Sequence, residues 1–157
     1  MEIILSQEQF LVKLDLEPLQ KMALKLAECA QNSKRGEPPW REVVIHLIDN
    51  ARMEEINRLI IGHEGATDVV TQRYEPFPGE PEGLLGELFV DLEWATSHFP
   101  RKKGWDIEHE ILLYIAHGCD HLSGEDDHTT PERNRMRRRE LSWIRKLTIT
   151  PFLRALS

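Results

Sequence analysis

Hydrophobic positions along the chain follow two different periods, one near 3.6 residues and one of 2, and each period predicts its own elements. From Leu16 to Ala30, "LEPLQKMALKLAECA" puts Leu19, Met22, Ala23, Leu26 and Ala30 on one stripe, which predicts an amphipathic helix. "EIILS" before it predicts a short first strand, and "WREVVIHLID", with its β-branched centre, a second. Asp49 or Asn50 can then cap a helix through "ARMEEINRLIIG", with Ile56, Leu59 and Ile60 inward and Gly62 at its end. "ATDVVTQRY" and "LLGELFVDL" predict two more strands, followed by a short helix over "EWATSHF". "QNSKRGEPP" and "EPFPGEPEG" are rich in helix and strand breakers and predict loops.

The strongest helical signal runs from Asp106 to about Leu122. Asp106 suits the N-cap, Glu108 and Glu110 suit the first turns, and Ile111 to Ile115 is apolar on nearly every side, so this helix is expected to be buried. Beyond Gly124 comes a polar turn. Thr130 and Pro131 then open a last helix through "ERNRMRRRELSWIRKL", with Met136, Ile144 and Leu147 inward. The total predicts an α+β fold in one domain over residues 1–157, with about four strands and a central buried helix.

Composition narrows the setting. The chain has 157 residues, 40% hydrophobic and 30% charged, an ordinary globular mix that can bury a core without staples. No apolar run reaches the roughly 20 residues of a membrane span, and "MEIILSQEQF" lacks a signal peptide's basic start, so a cytoplasmic location is expected. Cys29 and Cys119 show no spaced pairing and read as small buried hydrophobes. The formal charge of −7 alone argues against a nucleic-acid binder, yet "RNRMRRRELSWIRK" concentrates basic charge near the C-terminus. Such a run is ordinarily a solvated helix face; a phosphate-contacting patch is its other reading.

Candidate chemistry gathers in "IAHGCDHLSGEDDHTT". Residues four apart on a helix differ by about 40° of rotation, so His117 and His121 point the same way and can share one metal ion. This is the H-x-x-x-H half of the zincin signature. Gly124 allows a sharp exit from the helix, which can bring a third donor over the metal: Asp127 at position ten after His117, or His128 at position eleven. Three N or O ligands with one open position is the arrangement of catalytic zinc. The zincin general base would follow His117, where Gly118 stands, so peptide hydrolysis by that route is disfavoured. Asp120, about 60° from His117 on the helical wheel, is the nearest carboxylate, a candidate to fix a histidine tautomer or to act as a base through water.

These residues resemble the YbeY family of bacterial metal-dependent endoribonucleases linked to ribosomal RNA maturation. Its signature, roughly H-G-x-L-H-L-x-G-x-D-H, is matched by "HGCDHLSGEDDH" at His117, Gly118, His121, Leu122, Gly124, Asp127 and His128. "VIHLIDNARMEEINRLIIG", "ATDVVT" and "LLGELFVDLEWA" resemble its other conserved stretches in order, from about Val43 to Leu147. The resemblance implies an α+β fold, a mixed sheet of about four strands with further helices around it, and one zinc ion per chain on three histidines, which favours His128 as third ligand with Asp127 as the alternative. Imidazole donors also accept other divalent transition metals. Three departures stand out. One extra residue lies between Gly124 and His128, and Cys119-Asp120 replaces an apolar pair. Ile61 stands where the family often carries an arginine tied to RNA cleavage.

Arg58, one turn before Ile61, is a candidate substitute for that arginine, and Arg73 a candidate phosphate contact. Arg133, Arg137 and Arg138 would steer an RNA backbone. Two functions are thus expected from the sequence. One is a zinc-dependent endoribonuclease specific for single-stranded RNA and acting in ribosomal RNA processing. The other is a ribosome-associated RNA-binding factor whose zinc is structural. The expected partners are RNA, ribosomal RNA or ribosomal particles, and no membrane.

Overall fold

A computed structural model describes residues 1–34 and 39–154. Strand β1 (Glu2–Gln7) is followed by the short β2 (Lys13–Leu14), helix α1 (Leu16–Asn32) and strand β3 (Trp40–Ile48). Then come α2 (Asn50–Ile56), β4 (Val69–Tyr74), β5 (Leu84–Asp91), α3 (Leu92–His98), α4 (Ile107–Leu122), α5 (Thr130–Arg145) and β6 (Leu153–Arg154). Four strands form one mixed sheet in the order β1-β3-β5-β4, parallel except for the antiparallel β4–β5 pair. The predicted α+β architecture with a central buried helix is what the chain adopts. A two-residue pairing of β2 with β6 was not foreseen. It ties the C-terminal segment, with its fully buried Phe152, to the start of α1. Part of the loop predicted over "QNSKRGEPP", residues 35–38, lies outside the described residues, and Gln31 and Asn32 belong to α1.

The predicted α1 stripe is fully realised, with Leu19, Met22, Ala23, Leu26 and Ala30 all buried. It packs with α4 over the sheet, and the core there joins Ile45, Leu47, Leu88 and Val90 of the strands to Ile111, Leu112 and Ile115 of α4. Helix α4 begins where expected: the Asp106 carboxylate accepts from the His109 backbone N–H at 2.9 Å. Asp49, one of the two candidate caps of α2, accepts from the Arg52 N–H at 3.0 Å. For α5 the cap is Thr129, one residue earlier than predicted, and Thr130 already belongs to the helix.

One inward residue was misplaced. α2 continues into a π-helical turn over Asn57–Ile61, closed by a hydrogen bond from the Gly62 N–H to the Asn57 carbonyl at 2.8 Å. The wider turn shifts the helical phase, so Ile56 is buried and Ile60 half-buried, but Leu59 is 73% exposed. Gly62 ends the turn with φ 81°, the left-handed backbone that glycine adopts freely. Asn57 is buried instead, and its side-chain amide donates to the Gly65 carbonyl at 3.0 Å.

Candidate metal centre

Two glycines decide how closely α4 sits on the sheet. A Cβ at Gly118 would lie 2.6 Å from Leu88 Cδ2, and one at Gly86 would lie 2.7 Å from Leu122 Cδ1. The face of α4 carrying Gly118 is therefore pressed against β5, and His121, one turn on from His117, lines the cleft beside β4. The two rings meet edge to face with centroids 4.5 Å apart.

What each ring nitrogen meets fixes the chemistry. His117 Nδ1 lies 2.8 Å from Glu140 Oε2, and His121 Nδ1 lies 3.0 Å from the Glu125 carbonyl oxygen. A carbonyl only accepts, so His121 must carry its proton on Nδ1, and the Glu140 carboxylate favours the same tautomer in His117. In neutral rings that leaves both Nε2 atoms with lone pairs, and these atoms are 3.1 Å apart. Lone pairs so close repel unless a cation or a proton lies between them. Asp127 Oδ2 completes the group, 3.5 Å from His121 Nε2 and 3.7 Å from His117 Nε2. Donors at tetrahedral vertices around zinc are about 3.3 Å apart for bonds of about 2.0–2.1 Å, so the three atoms fit one ion with a fourth position open. Two imidazoles and a carboxylate also suit other divalent transition metals.

Burial alone would lower the His117 pKa. The hydrogen bond and charge of Glu140, with Asp68 adding, lift it above the ordinary histidine value instead. Glu140 is fully buried, and its Oε1 has no hydrogen-bond partner among the described residues. It reaches His117 from α5 and sits on that helix's apolar stripe with Met136, Trp143 and Ile144. Sequence reasoning missed it. A carboxylate on an otherwise apolar stripe is the signal that could have found it.

The other candidates fall in distinct places. His128 is not among the converging donors: its side chain is 79% exposed, with Nε2 3.8 Å from Asp126 Oδ1. The structure thus brings Asp127, and not His128, to the donors. Arginines fix the turn that does so. Arg73 donates to the Leu122 carbonyl at 3.2 Å and Arg133 to the Asp127 carbonyl at 3.1 Å. Gly124, with φ 98°, makes the sharp exit between them. Asp120 is not among the donors either. It is fully buried and takes two hydrogen bonds of 3.0 Å from Arg139 Nη2. Burial beside Glu140 raises its pKa to about 7. Glu140, not Asp120, therefore holds the His117 tautomer, because Asp120 faces α5 and its arginine. Arg58 lies exposed on the π-turn, while Arg137 and Arg138 are exposed on α5.

An open cleft of about 440 Å³ adjoins the donors. His121, Asp127 and His128 line one side, and Asn57, Ile61 and His63 line another. Among the described residues no helix is long and apolar enough to cross a membrane.

Comparison with known proteins identifies the family. A curated protein of Elusimicrobium minutum named Endoribonuclease YbeY is 36% identical over 66% of this chain and 69% of its own length. A Clostridioides difficile protein of the same name is 29% identical over 96% of this chain and 99% of its own length. One from Rhodopirellula baltica is 32% identical, but the match spans only 54% of that longer protein. A solution structure from Thermotoga maritima superposes with a TM-score of 0.55 over 90% of this chain and 86% of its own, at 20% identity, which supports the fold. The sequence profile of the family described as Endoribonuclease YbeY matches residues 3–148, and the chain belongs to that family.

Proposed function

We propose that this protein is a zinc-dependent endoribonuclease that cuts single-stranded RNA during ribosomal RNA maturation in the cytoplasm. The observation that carries the reading is the pair of imidazole lone pairs 3.1 Å apart, closed by Asp127 and open to a cleft. His117, His121 and Asp127 hold the metal, and Glu140 keeps His117 in the binding tautomer. A bound zinc ion supplies Lewis acidity to a phosphodiester and to its attacking water. The exposed Arg133, Arg137 and Arg138 in the first and middle turns of α5 steer the RNA backbone, with an affinity that falls as salt rises. Arg58 adds charge on the turn that also carries the cleft residue Ile61.

A second reading has its own support. Gly118 provides no carboxylate base and Ile61 no cation, which suits a ribosome-associated factor whose metal is structural. One experiment separates the two: zinc-loaded protein with single-stranded and structured RNA, beside a chelated sample and His121→Ala. Cleavage of the single strand alone, lost in both controls, is the expected result. Cleavage that survives both controls would overturn the enzyme reading. No cleavage, with co-sedimentation on ribosomal particles, would favour the second.

A further inference from the structure

At the end of α5 remote from the cleft, a separate groove of about 480 Å³ opens between α1 and the segment that follows α5. Lys21 and Lys25, one helical turn apart on the exposed side of α1, form one wall. Lys146, which caps α5, forms the other wall with Thr148 and Thr150, all three exposed. Glu17 is the sole carboxylate among the lining residues, and it pairs with Lys21 at 3.3 Å with both side chains more than three-quarters exposed. Such a pair contributes little. Neither Lys25 nor Lys146 has a carboxylate within 4.0 Å among the described residues.

Three ammonium groups around one concavity run against a chain whose formal charge is −7. Their mutual repulsion is relieved by a bound anion. Two threonine hydroxyls on the same wall add donors for a ligand rich in acceptor oxygens, which describes a phosphate better than a halide. Helix α5 runs from beside the cleft residue Asp127 to the groove residue Lys146. α5 begins three residues after Asp127 and spans 16 residues, roughly 24 Å at about 1.5 Å per residue. Along it Arg135, Arg138 and Arg145 are exposed and fall within an arc of roughly 80°, and the stripe ends one residue from Lys146.

We propose that the groove of Lys21, Lys25 and Lys146 is a second phosphate-binding site, which holds the backbone of an RNA whose reactive segment lies in the metal cleft. The proposal rests on the RNA-cleaving reading above. Bridging roughly 24 Å takes about seven nucleotides at ~3.4 Å per stacked base, so short RNA reaches the cleft alone and long RNA reaches both.

The test compares the parent protein with a Lys21→Gln/Lys25→Gln/Lys146→Gln variant, using RNA of about five and of about 24 nucleotides on either side of that limit. Affinity for the long RNA is read by fluorescence anisotropy across a salt series, and cleavage is read on both lengths. The variant is expected to bind the long RNA roughly tenfold more weakly, with a salt slope shallower by about 2, at about 0.7 per lost phosphate contact. Cleavage of the short RNA should be unchanged, which also shows that the variant folds. Lys→Arg replacements at the same three positions should restore both affinity and slope.

Long-RNA affinity and slope that match the parent, with short-RNA cleavage intact, would overturn the groove and leave the nuclease reading standing. A parent that neither binds nor cuts RNA of either length would overturn both. Groove-dependent binding of anionic lipid vesicles, with long-RNA affinity untouched by the variant, would assign the site to a membrane surface and overturn the RNA proposal.

Discussion

Of the places where the described residues set histidine against carboxylate, His46 and the α4 pair make the sharpest contrast, and of these two only the α4 pair is built to hold a metal. His46 on β3 lies between two glutamates, with Nδ1 2.5 Å from Glu8 Oε2 and Nε2 2.6 Å from Glu87 Oε2. Its ring stacks on Phe89 with centroids 4.5 Å apart, and Tyr74 donates to Glu87 at 2.8 Å. Each contact places a proton between nitrogen and oxygen, so both nitrogens are consumed and the ring acts as a strut across the sheet. On α4 the outward nitrogens are consumed in the same way, by Glu140 and by the Glu125 carbonyl, while the inward pair converges with lone pairs unspent. Residue types are nearly the same in both places. What separates them is whether lone pairs remain and meet at one point.

The comparison breaks most sharply at the ligands. Substitution of residues that only orient a ligand already costs about 10–100-fold in metal affinity, so His117→Ala or His121→Ala should cost more than about 100-fold. His46→Ala should keep full zinc content and lose about 1–2 kcal/mol of stability with its hydrogen bonds. Zinc titration and urea melts check both, and a His46 variant that fails to bind zinc would end the distinction.

The third donor sharpens it. Asp127→Ala should weaken zinc by about 100-fold and His128→Ala by less than about threefold, read by competition with a chromophoric chelator. The reverse order would restore the imidazole favoured by family resemblance.

The smallest effects lie in pH, and they have opposite signs in the two places. In metal-free protein the His117 pKa is raised by Glu140 against the effect of burial. The resulting stability is full below the unfolded value of about 6.5 and is lost as pH rises through the higher folded value. Burial raises the Glu8 pKa, but the bond to His46 outweighs it and leaves the group below 4.5. That stability is present above 4.5 and is lost as pH falls through the lower folded value. Each contribution should be small beside the ligand effects above. Glu140→Gln should flatten the first limb and His46→Ala the second in melting curves taken across pH.

Much of this was legible in the sequence, for reasons that differ by element. The α4 pair could be read because a four-residue spacing fixes direction within one helix, whatever surrounds it. The α1 stripe and the four strands were equally local. The choice between Asp127 and His128 was not, because it depends on a turn held by Arg73 from β4 and Arg133 from α5. Glu140 lies 23 residues from His117 and meets it only once α5 has packed on α4. Leu59 was misread because a π-turn breaks the periodicity on which the reading rested.

The close seat of α4 on the sheet also limits what this scaffold can become. Gly118 occupies the position at which a zincin carries its catalytic glutamate, and even a methyl group there would meet Leu88 at 2.6 Å. Overpacking a core by far less than a carboxylate costs about 1–3 kcal/mol. A single substitution therefore cannot convert this metal site into a peptidase. For a lineage or a designer starting from this fold, a proton acceptor has to be recruited across the cleft, from the wall that holds Asn57 and His63, or from the substrate itself.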